Sequence, residues 1–231
     1  MKKILVIILA FSAFAISCTT PYYPEYVRLV SLGAYTGDVI LEREAGESSF
    51  AVASNVEYEA RIISGETWLS FADAEGMSVR KSGNSTIFLK YKKVAEGPRL
   101  ARIVLSADNR HDTVKIKQKG NYDEFLEMHP ADKAKYLTLK DGTRMSVPEE
   151  GGKFEIRLEC SCLDTDIKFS VSHPEIVTSC KVENKVFSFE VLPNKANQPN
   201  IIDVKLSFIN GWDEEVALPF SIRHEWVLKG E

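Results

Sequence analysis

From about residue 37 onward, hydrophobic and polar residues alternate in short runs that are separated by turn-forming residues. Alternation with a period of two places one side of each run in a core and the other in water, which is typical of strands in a β-sandwich or barrel. The clearest run extends from Ile202 to Phe208 and is followed by Asn210-Gly211, a strong hairpin signal. The pattern therefore predicts an all-β fold built from short strands.

The alternation occurs twice along the chain. It stops near Gly120, is absent from the charged segment 121–135, and then resumes. Matching core positions recur about one hundred residues apart, in the pairs Phe50/Phe154, Ile103/Val204 and Ile116/Phe220. We therefore predict two tandem sandwiches, at 37–120 and 136–226, with 121–135 as their linker and 227–231 as a tail.

The beginning of the chain has a different pattern. Lys2 and Lys3 precede an apolar run that is too short to span a bilayer comfortably and that ends in small residues before Cys18. This order is typical of a secretory signal peptide, predicted at 1–17. The prolines of the following segment, 18–36, favour an extended tether.

A cysteine directly after a small residue resembles a bacterial lipobox. The resemblance implies that Cys18 is acylated, becomes the processed N-terminus and anchors the chain to a lipid bilayer. The expected location is the cell envelope, at the outer membrane, with the periplasmic and surface sides left open. The alternative is an ordinary signal peptide in which Cys18 is incidental.

Composition narrows the classes of partner. The net charge is −4, so the chain lacks the basic balance that nucleic acids or anionic membrane surfaces attract. No serine or cysteine lies in a Gly-x-Ser-x-Gly setting, no glycine-rich phosphate loop is present, and no pair of carboxylates stands out. We therefore predict a protein that is not an enzyme and that uses no cofactor.

Three cysteines remain besides Cys18, namely Cys160, Cys162 and Cys180. In an oxidising compartment Cys180 has the option of a disulfide with either of the other two. The alternative is that these cysteines are buried free thiols, which behave as small hydrophobic side chains. A zinc site is disfavoured because a convincing fourth ligand is lacking, and no metal is predicted.

The first repeat carries a set of local signals over residues 38–120, in the order Gly46, Ser54-Asn55, Trp68-Leu69, Arg99-Leu-Ala-Arg102 and Gln118-Lys-Gly120. Together they resemble the BACON domain, an immunoglobulin-like sandwich module common in envelope proteins of Bacteroidetes. The second repeat is a weaker match, with His224 where the first has its glutamine. The resemblance implies two functions. The expected one is binding of carbohydrate or a mucin-like glycoprotein through the β-sandwich modules, and the alternative is a spacer or assembly role that docks other envelope proteins.

Glycan binding requires exposed aromatic faces with polar groups beside them. Trp212, just beyond the predicted hairpin turn, is the best candidate for such a face, and Asp213 and Glu214 beside it are candidate partners for sugar hydroxyls. Trp68 is a second candidate. For both tryptophans the sequence favours the alternative, in which Trp212 folds over the end of the sandwich and Trp68 fills its core.

Overall fold

The computed structural model describes residues 30–140, 142–196 and 198–226. The predicted signal peptide, Cys18 and the predicted tail lie outside these described residues. From Ser31 onward the chain forms one compact unit. Within that unit, the described residues build two β-sandwiches.

The first sandwich uses nine strands in two facing sheets. The strands are β1 (Leu32–Ala34), β2 (Asp38–Leu41), β3 (Gly46–Ser54), β4 (Glu57–Ser64), β5 (Leu69–Phe71), β6 (Ser78–Ser82), β7 (Ser85–Tyr91), β8 (Arg99–Ala107) and β9 (Arg110–Gln118). One sheet has the order β1-β3-β7-β5 and the other β2-β9-β8-β4-β6. All neighbouring pairs are antiparallel except β2 with β9, which is parallel.

The second sandwich repeats this plan with one helix and one 3₁₀ turn. Its elements are β10 (Leu126–Met128), α1 (Pro130–Lys133), β11 (Leu137–Leu139), β12 (Gly142–Val147), β13 (Gly152–Cys160), η1 (Asp164–Asp166), β14 (Lys168–Val171), β15 (Val177–Glu183), β16 (Val186–Val191), β17 (Asn200–Ile209) and β18 (Glu215–His224). Its sheets have the orders β10-β13-β16-β15 and β11-β12-β18-β17-β14. The first sheet follows the A-B-E-D order and the second the G-F-C order of immunoglobulin-like domains, which confirms the predicted fold class.

The alternating runs supply the core as predicted. On β8 every second residue from Ala101 to Ala107 is buried, and on β17 every second residue from Ile202 to Phe208 is buried. The side chains between them face outward because successive residues of a strand point to opposite faces of the sheet. Each sandwich therefore has an apolar interior between its two sheets.

Strand register corrects two of the three repeat pairings. Gly46 pairs with Tyr91 and Gly152 with Val191 at the same place in each sandwich, so Phe50 corresponds to Ile156 and not to Phe154. On the last strand Gln118 lies beside Leu41 and His224 beside Val147, so Ile116 corresponds to Ile222 and not to Phe220. The pairing of Ile103 with Val204 agrees with the register. A slip of two residues leaves the alternation unchanged, so the pattern alone cannot detect it.

Two predicted connections contain structure. Strand β1 lies inside the predicted tether 18–36 and pairs with β3. Strand β10 and helix α1 lie inside the predicted linker 121–135, and β10 pairs with β13. Both strands are three residues long, which is too short for alternation to be recognised. Each serves as the first strand of its sandwich.

Candidate functional site

The tip of the β17–β18 hairpin brings together the three residues predicted as ligand contacts at 212–214. The Asn210 side-chain oxygen accepts hydrogen bonds from the backbone N–H groups of Trp212 (3.0 Å) and Glu214 (2.8 Å). Asp213 takes a positive φ of 58°, a left-handed conformation that short polar residues tolerate. The hairpin signal in the sequence thus produces a compact tip whose side chains project outward.

Trp212 contacts the first sandwich. Its indole N–H donates a hydrogen bond to the backbone carbonyl of Gln118 at 3.0 Å, and the ring is half-buried. The ammonium of Lys117 lies 5.8 Å from the centre of the same ring, within range of a cation–π interaction. The end of β9 therefore holds the ring by its polar edge and by one face.

Charged groups on both sides complete the contact. Lys117 has only 8% of its side chain exposed, and its ammonium lies 2.5 Å from the carboxylates of both Glu214 and Asp38. These two carboxylates raise the pKa of Lys117, with Asp38 contributing most. Asp213 forms an ion pair with Arg102 of β8. Both acidic residues of the tip are thus paired with basic residues of the first sandwich.

The backbone of the tip is also closely seated. The N–H of Gly211 donates to a carboxylate oxygen of Glu124 at 2.7 Å. A Cβ atom added at Gly211 would lie 2.8 Å from the Pro98 carbonyl carbon and closer still to its oxygen. Because backbone atoms cannot turn aside as a flexible side chain can, this position accepts glycine alone without a shift of the tip.

Trp68 belongs to the interior side of the same region. It is 7% exposed, and the guanidinium of Arg99 lies 4.4 Å from the centre of its ring. Arg99 in turn donates to the side-chain oxygen of Gln118 at 2.9 Å. The structure therefore places Trp68 in the core, as the sequence favoured, and links it to Trp212 through Arg99 and Gln118.

Gln118 organises this end of the first sandwich. Its side chain is fully buried, and its amide N–H₂ donates to the backbone carbonyls of Glu42 (3.0 Å) and Lys92 (2.9 Å). In the second sandwich, His224 and Asn194 together take the place of Gln118. His224 is hydrogen-bonded to the Glu149 carbonyl, and Asn194 donates to the carbonyl of Glu225. In the sequence, Gln118 is part of the set of residues that resembles the BACON domain, and the alternation does not mark it as a structural centre.

The three described cysteines are free thiols in the structure. Cys160 occupies the position that Ser54 has in the first sandwich, and each donates to the carbonyl two residues on, at 3.6 Å for Cys160 and 2.9 Å for Ser54. Burial, together with the neighbouring Cys160, raises the pKa of Cys162 to about 12, and burial raises that of Cys180. Their environment is that of packing residues.

Two classes of feature are absent from the described part of the chain. Residues 30–140, 142–196 and 198–226 contain no group of three or more His, Cys, Asp or Glu side chains placed to hold a metal ion. The same residues form no helix with the length and apolar character needed to cross a bilayer.

Comparisons with known proteins give similarities in fold only. No protein-family model matches the chain, and no curated protein matches it. Solved structures similar to the chain include the GH5 xyloglucanase of Bacteroides ovatus in complex with a XXXG heptasaccharide, at 12% identity and a TM-score of 0.34, over 53% of this chain and 27% of that one. The chain thus spans about a quarter of the xyloglucanase.

Two tandem-domain structures are similar over most of their length. Domains 5–6 of the S-layer protein SbsC match at 11% identity and a TM-score of 0.29, over 83% of this chain and 97% of that one. The titin Ig tandem domains A164–A165 match at 10% identity and a TM-score of 0.27, over 85% and 98%.

Proposed function

We propose that this chain is a non-catalytic, lipid-anchored protein of the outer membrane, of BACON type, whose two sandwiches form a rigid arm. Acylated Cys18 is its membrane end, and the arm carries a docking surface for other envelope proteins. This is the spacer or assembly role that the family resemblance implies.

One observation supports this choice above the others, namely that the hairpin tip lies in the contact between the two sandwiches. Trp212, Asp213 and Glu214 each bond to a residue of the first sandwich. An ion pair buried on one side and a hydrogen-bonded tryptophan are the features of a specific interface and not of a loose linker. The contact fixes the second sandwich relative to the first, which is what a spacer needs.

Carbohydrate binding is the other function implied by the resemblance, and it is the one that the sequence led us to expect. The indole N–H and both carboxylates that were predicted to serve a glycan already have partners in the protein. A glycan that used these groups would therefore compete with Arg102, Lys117 and the Gln118 carbonyl for them.

Nuclear magnetic resonance relaxation of ¹⁵N amides in the purified chain tests the arm directly. If the arm is rigid, amides of both sandwiches report one common rotational correlation time. Two distinct correlation times, each close to that of a single sandwich, would overturn the proposal. The wild-type chain is sufficient for this test.

A glycan array that includes mucin O-glycans tests carbohydrate binding, with two variants as a matched pair. Trp212→Ala removes the ring, whereas Lys117→Met weakens the interface and keeps the ring. The rigid arm predicts no glycan signal that depends on Trp212. A glycan signal that is lost in Trp212→Ala and kept in Lys117→Met would show that the ring contacts sugar, and carbohydrate binding would replace the present proposal.

A further inference from the structure

The two sandwiches differ at both edges of their five-stranded sheets: β11 lies beside β12 in the second, and β6 lies beside β4 in the first. The edge at β4 and its equivalent β14 is the one left open in the second sandwich. In the first, strand β4 pairs with β8 on one side and with β6 on the other. In the second, β14 pairs with β17, and among the residues that the structure describes no strand lies along its other side. An unpaired edge presents a row of free backbone donors and acceptors to any extended chain.

Register shows that the two edges are equivalent. Ala60 of β4 lies opposite Leu105 of β8, and Phe169 of β14 lies opposite Leu206 of β17, at matching positions in the two sandwiches. The difference arises in the following segment. The chain between β5 and β7 contains β6, whereas β15 passes to β16 through the tight turn at Asn184 and Lys185. The second sandwich lacks the segment that covers this edge in the first.

The alternation of an antiparallel ladder identifies the free groups. The N–H of Ser172 donates to the carbonyl of Asp203 on β17. Every second residue of β14, counted back from Ser172, is therefore hydrogen-bonded to β17. Ser170 and Lys168 therefore bond toward β17. The backbone groups of Phe169 and Val171 point away from the sheet, toward the open edge.

Space for side chains of an added strand exists on the inner face of β14. On the inner side, a cavity of about 330 Å³ lies between β14 and β15 and is lined by Phe169, Val171, Val177 and Cys180 among others. Phe169 itself is 44% exposed. One set of alternate side chains of an added strand would enter this space beside Phe169, and the other set would face solvent.

We propose that β14 is the docking edge of the arm, and that it accepts an extended segment of another envelope protein as an antiparallel sixth strand. This edge is the docking surface of the proposed arm. The inference rests on the proposed function only for the partner's location in the cell envelope. In the first sandwich Arg80 of β6 lies opposite Glu59 of β4. Lys168 has the place of Glu59, so the incoming segment carries an acidic residue there and an apolar residue opposite Phe169.

A second copy of the chain is a poorer occupant. Two β14 strands paired about a two-fold axis would join through four residues each. Strand β14 (Lys-Phe-Ser-Val) also has no acidic residue to place opposite Lys168 of a second copy. Strand β6 of another copy is also unsuitable, because its Arg80 would face Lys168.

A synthetic probe tests the edge. The probe is the peptide of residues 77–83 with Arg80→Glu, and the unaltered peptide is its control. In the ¹⁵N-labelled full chain we expect the altered peptide to slow amide hydrogen exchange of Phe169 and Val171 by about tenfold or more and to leave Ser170 unchanged. We also expect it to bind at least about threefold more tightly than the control, because it replaces a like-charge pair by an opposite-charge pair.

Two variants separate backbone pairing from side-chain packing. Phe169→Ala and Phe169→Pro both remove the ring, but only the proline removes the outward N–H group. The proline variant should abolish the peptide effect at Val171, and the alanine variant should retain part of it. Equal loss in both variants, equal binding of both peptides, or unchanged exchange at Phe169 and Val171 would overturn strand addition.

Other occupants give distinct results. Slow exchange of Phe169 and Val171 in the dilute free chain would show that residues of the same chain cover the edge, and protection that rises with protein concentration would show a second copy. A photoreactive phenylalanine analogue at position 169 in cells should form an adduct with a different envelope protein, in a segment that alternates acidic and apolar residues. The first two results, or adducts confined to this chain, overturn the proposal. Each leaves the rigid arm to be decided by its relaxation test.

Discussion

Adding a single methyl group at the hairpin tip tests whether the sandwiches are held together as described. Gly211→Ala removes no side-chain contact, and the backbone at this position lies outside the left-handed region that favours glycine. The new Cβ would lie 2.8 Å from the Pro98 carbonyl carbon, against the 3.4–4 Å of ordinary contact. Since Pro98 belongs to the first sandwich, the clash acts on the interface and not on the fold of the second sandwich.

The size of the effect follows from what the tip must give up to relieve this clash. A displacement of about 1 Å lengthens the bond from Trp212 to the Gln118 carbonyl, now 3.0 Å, and the bond from Gly211 to Glu124, now 2.7 Å, beyond hydrogen-bonding distance. A neutral hydrogen bond contributes about 1 kcal/mol and one to a charged group about 2 kcal/mol. We expect docking to weaken by about 3 kcal/mol, roughly a hundredfold in the ratio of docked to undocked forms.

The assay is ¹⁵N relaxation of the full chain, with Gly37→Ala as the matched control. Gly37 also lies outside the left-handed region, and a Cβ added there meets nothing within 4 Å. Gly211→Ala should give the two sandwiches separate rotational correlation times, while Gly37→Ala keeps the common value. If Gly211→Ala tumbles and melts like the wild type, the tip is not seated against Pro98 and the interface described above is wrong.

Other outcomes test the remaining parts of the structure. Asp132→Asn should lower the free energy of unfolding by about 3 kcal/mol at pH 7, because the 4%-exposed carboxylate accepts two hydrogen bonds of 2.9 Å from Arg157. Hydrogen bonding from Arg157 holds the pKa of Asp132 well below its usual range, so this stability is present above about pH 4 and is lost below it. In urea unfolding at several pH values, the difference in free energy of unfolding between the wild type and Asp132→Asn should therefore become smaller in acid. Gln118→Ala should cost about 3 kcal/mol in thermal unfolding, since it leaves the buried carbonyls that the amide now serves without a donor. Cys162 in the native chain should react with iodoacetamide at pH 8 at least about a hundredfold more slowly than in urea, because its pKa is raised to about 12, and mass spectrometry measures the difference. Cys18→Ser should move the chain out of the membrane fraction and abolish labelling with palmitate, whereas an unchanged distribution would contradict the anchor.

Local patterning predicted the fold and failed where contacts are not local. Alternation was enough to find an all-β chain with two repeats, and Asn210-Gly211 marked the β17–β18 hairpin correctly. The alternation also predicts that the side chain of Lys117 faces solvent. Lys117 is only 7% exposed, because the tip of the other sandwich covers it. A tryptophan beside two carboxylates indicates a polar-aromatic contact surface. The same residue types suit contact with a sugar and contact with a neighbouring domain, so the sequence alone does not distinguish the two.

The internal repeat separates what the fold requires from what this chain adds to it. Matching positions in the two sandwiches can play the same structural role. Ser54 and Cys160, for example, each donate a hydrogen bond to the carbonyl two residues further on. Besides α1 and β11, which the second sandwich adds between β10 and β12, the repeats differ by two insertions. Ala107 and Arg110 close the β8–β9 hairpin directly, whereas the equivalent β17–β18 hairpin carries the extra tip that seats on the first sandwich. The first sandwich carries β6, and the second leaves that edge open. Since neither insertion is needed to complete a sandwich, properties specific to this chain should lie at these two places. One of them joins the modules and the other offers a free strand edge.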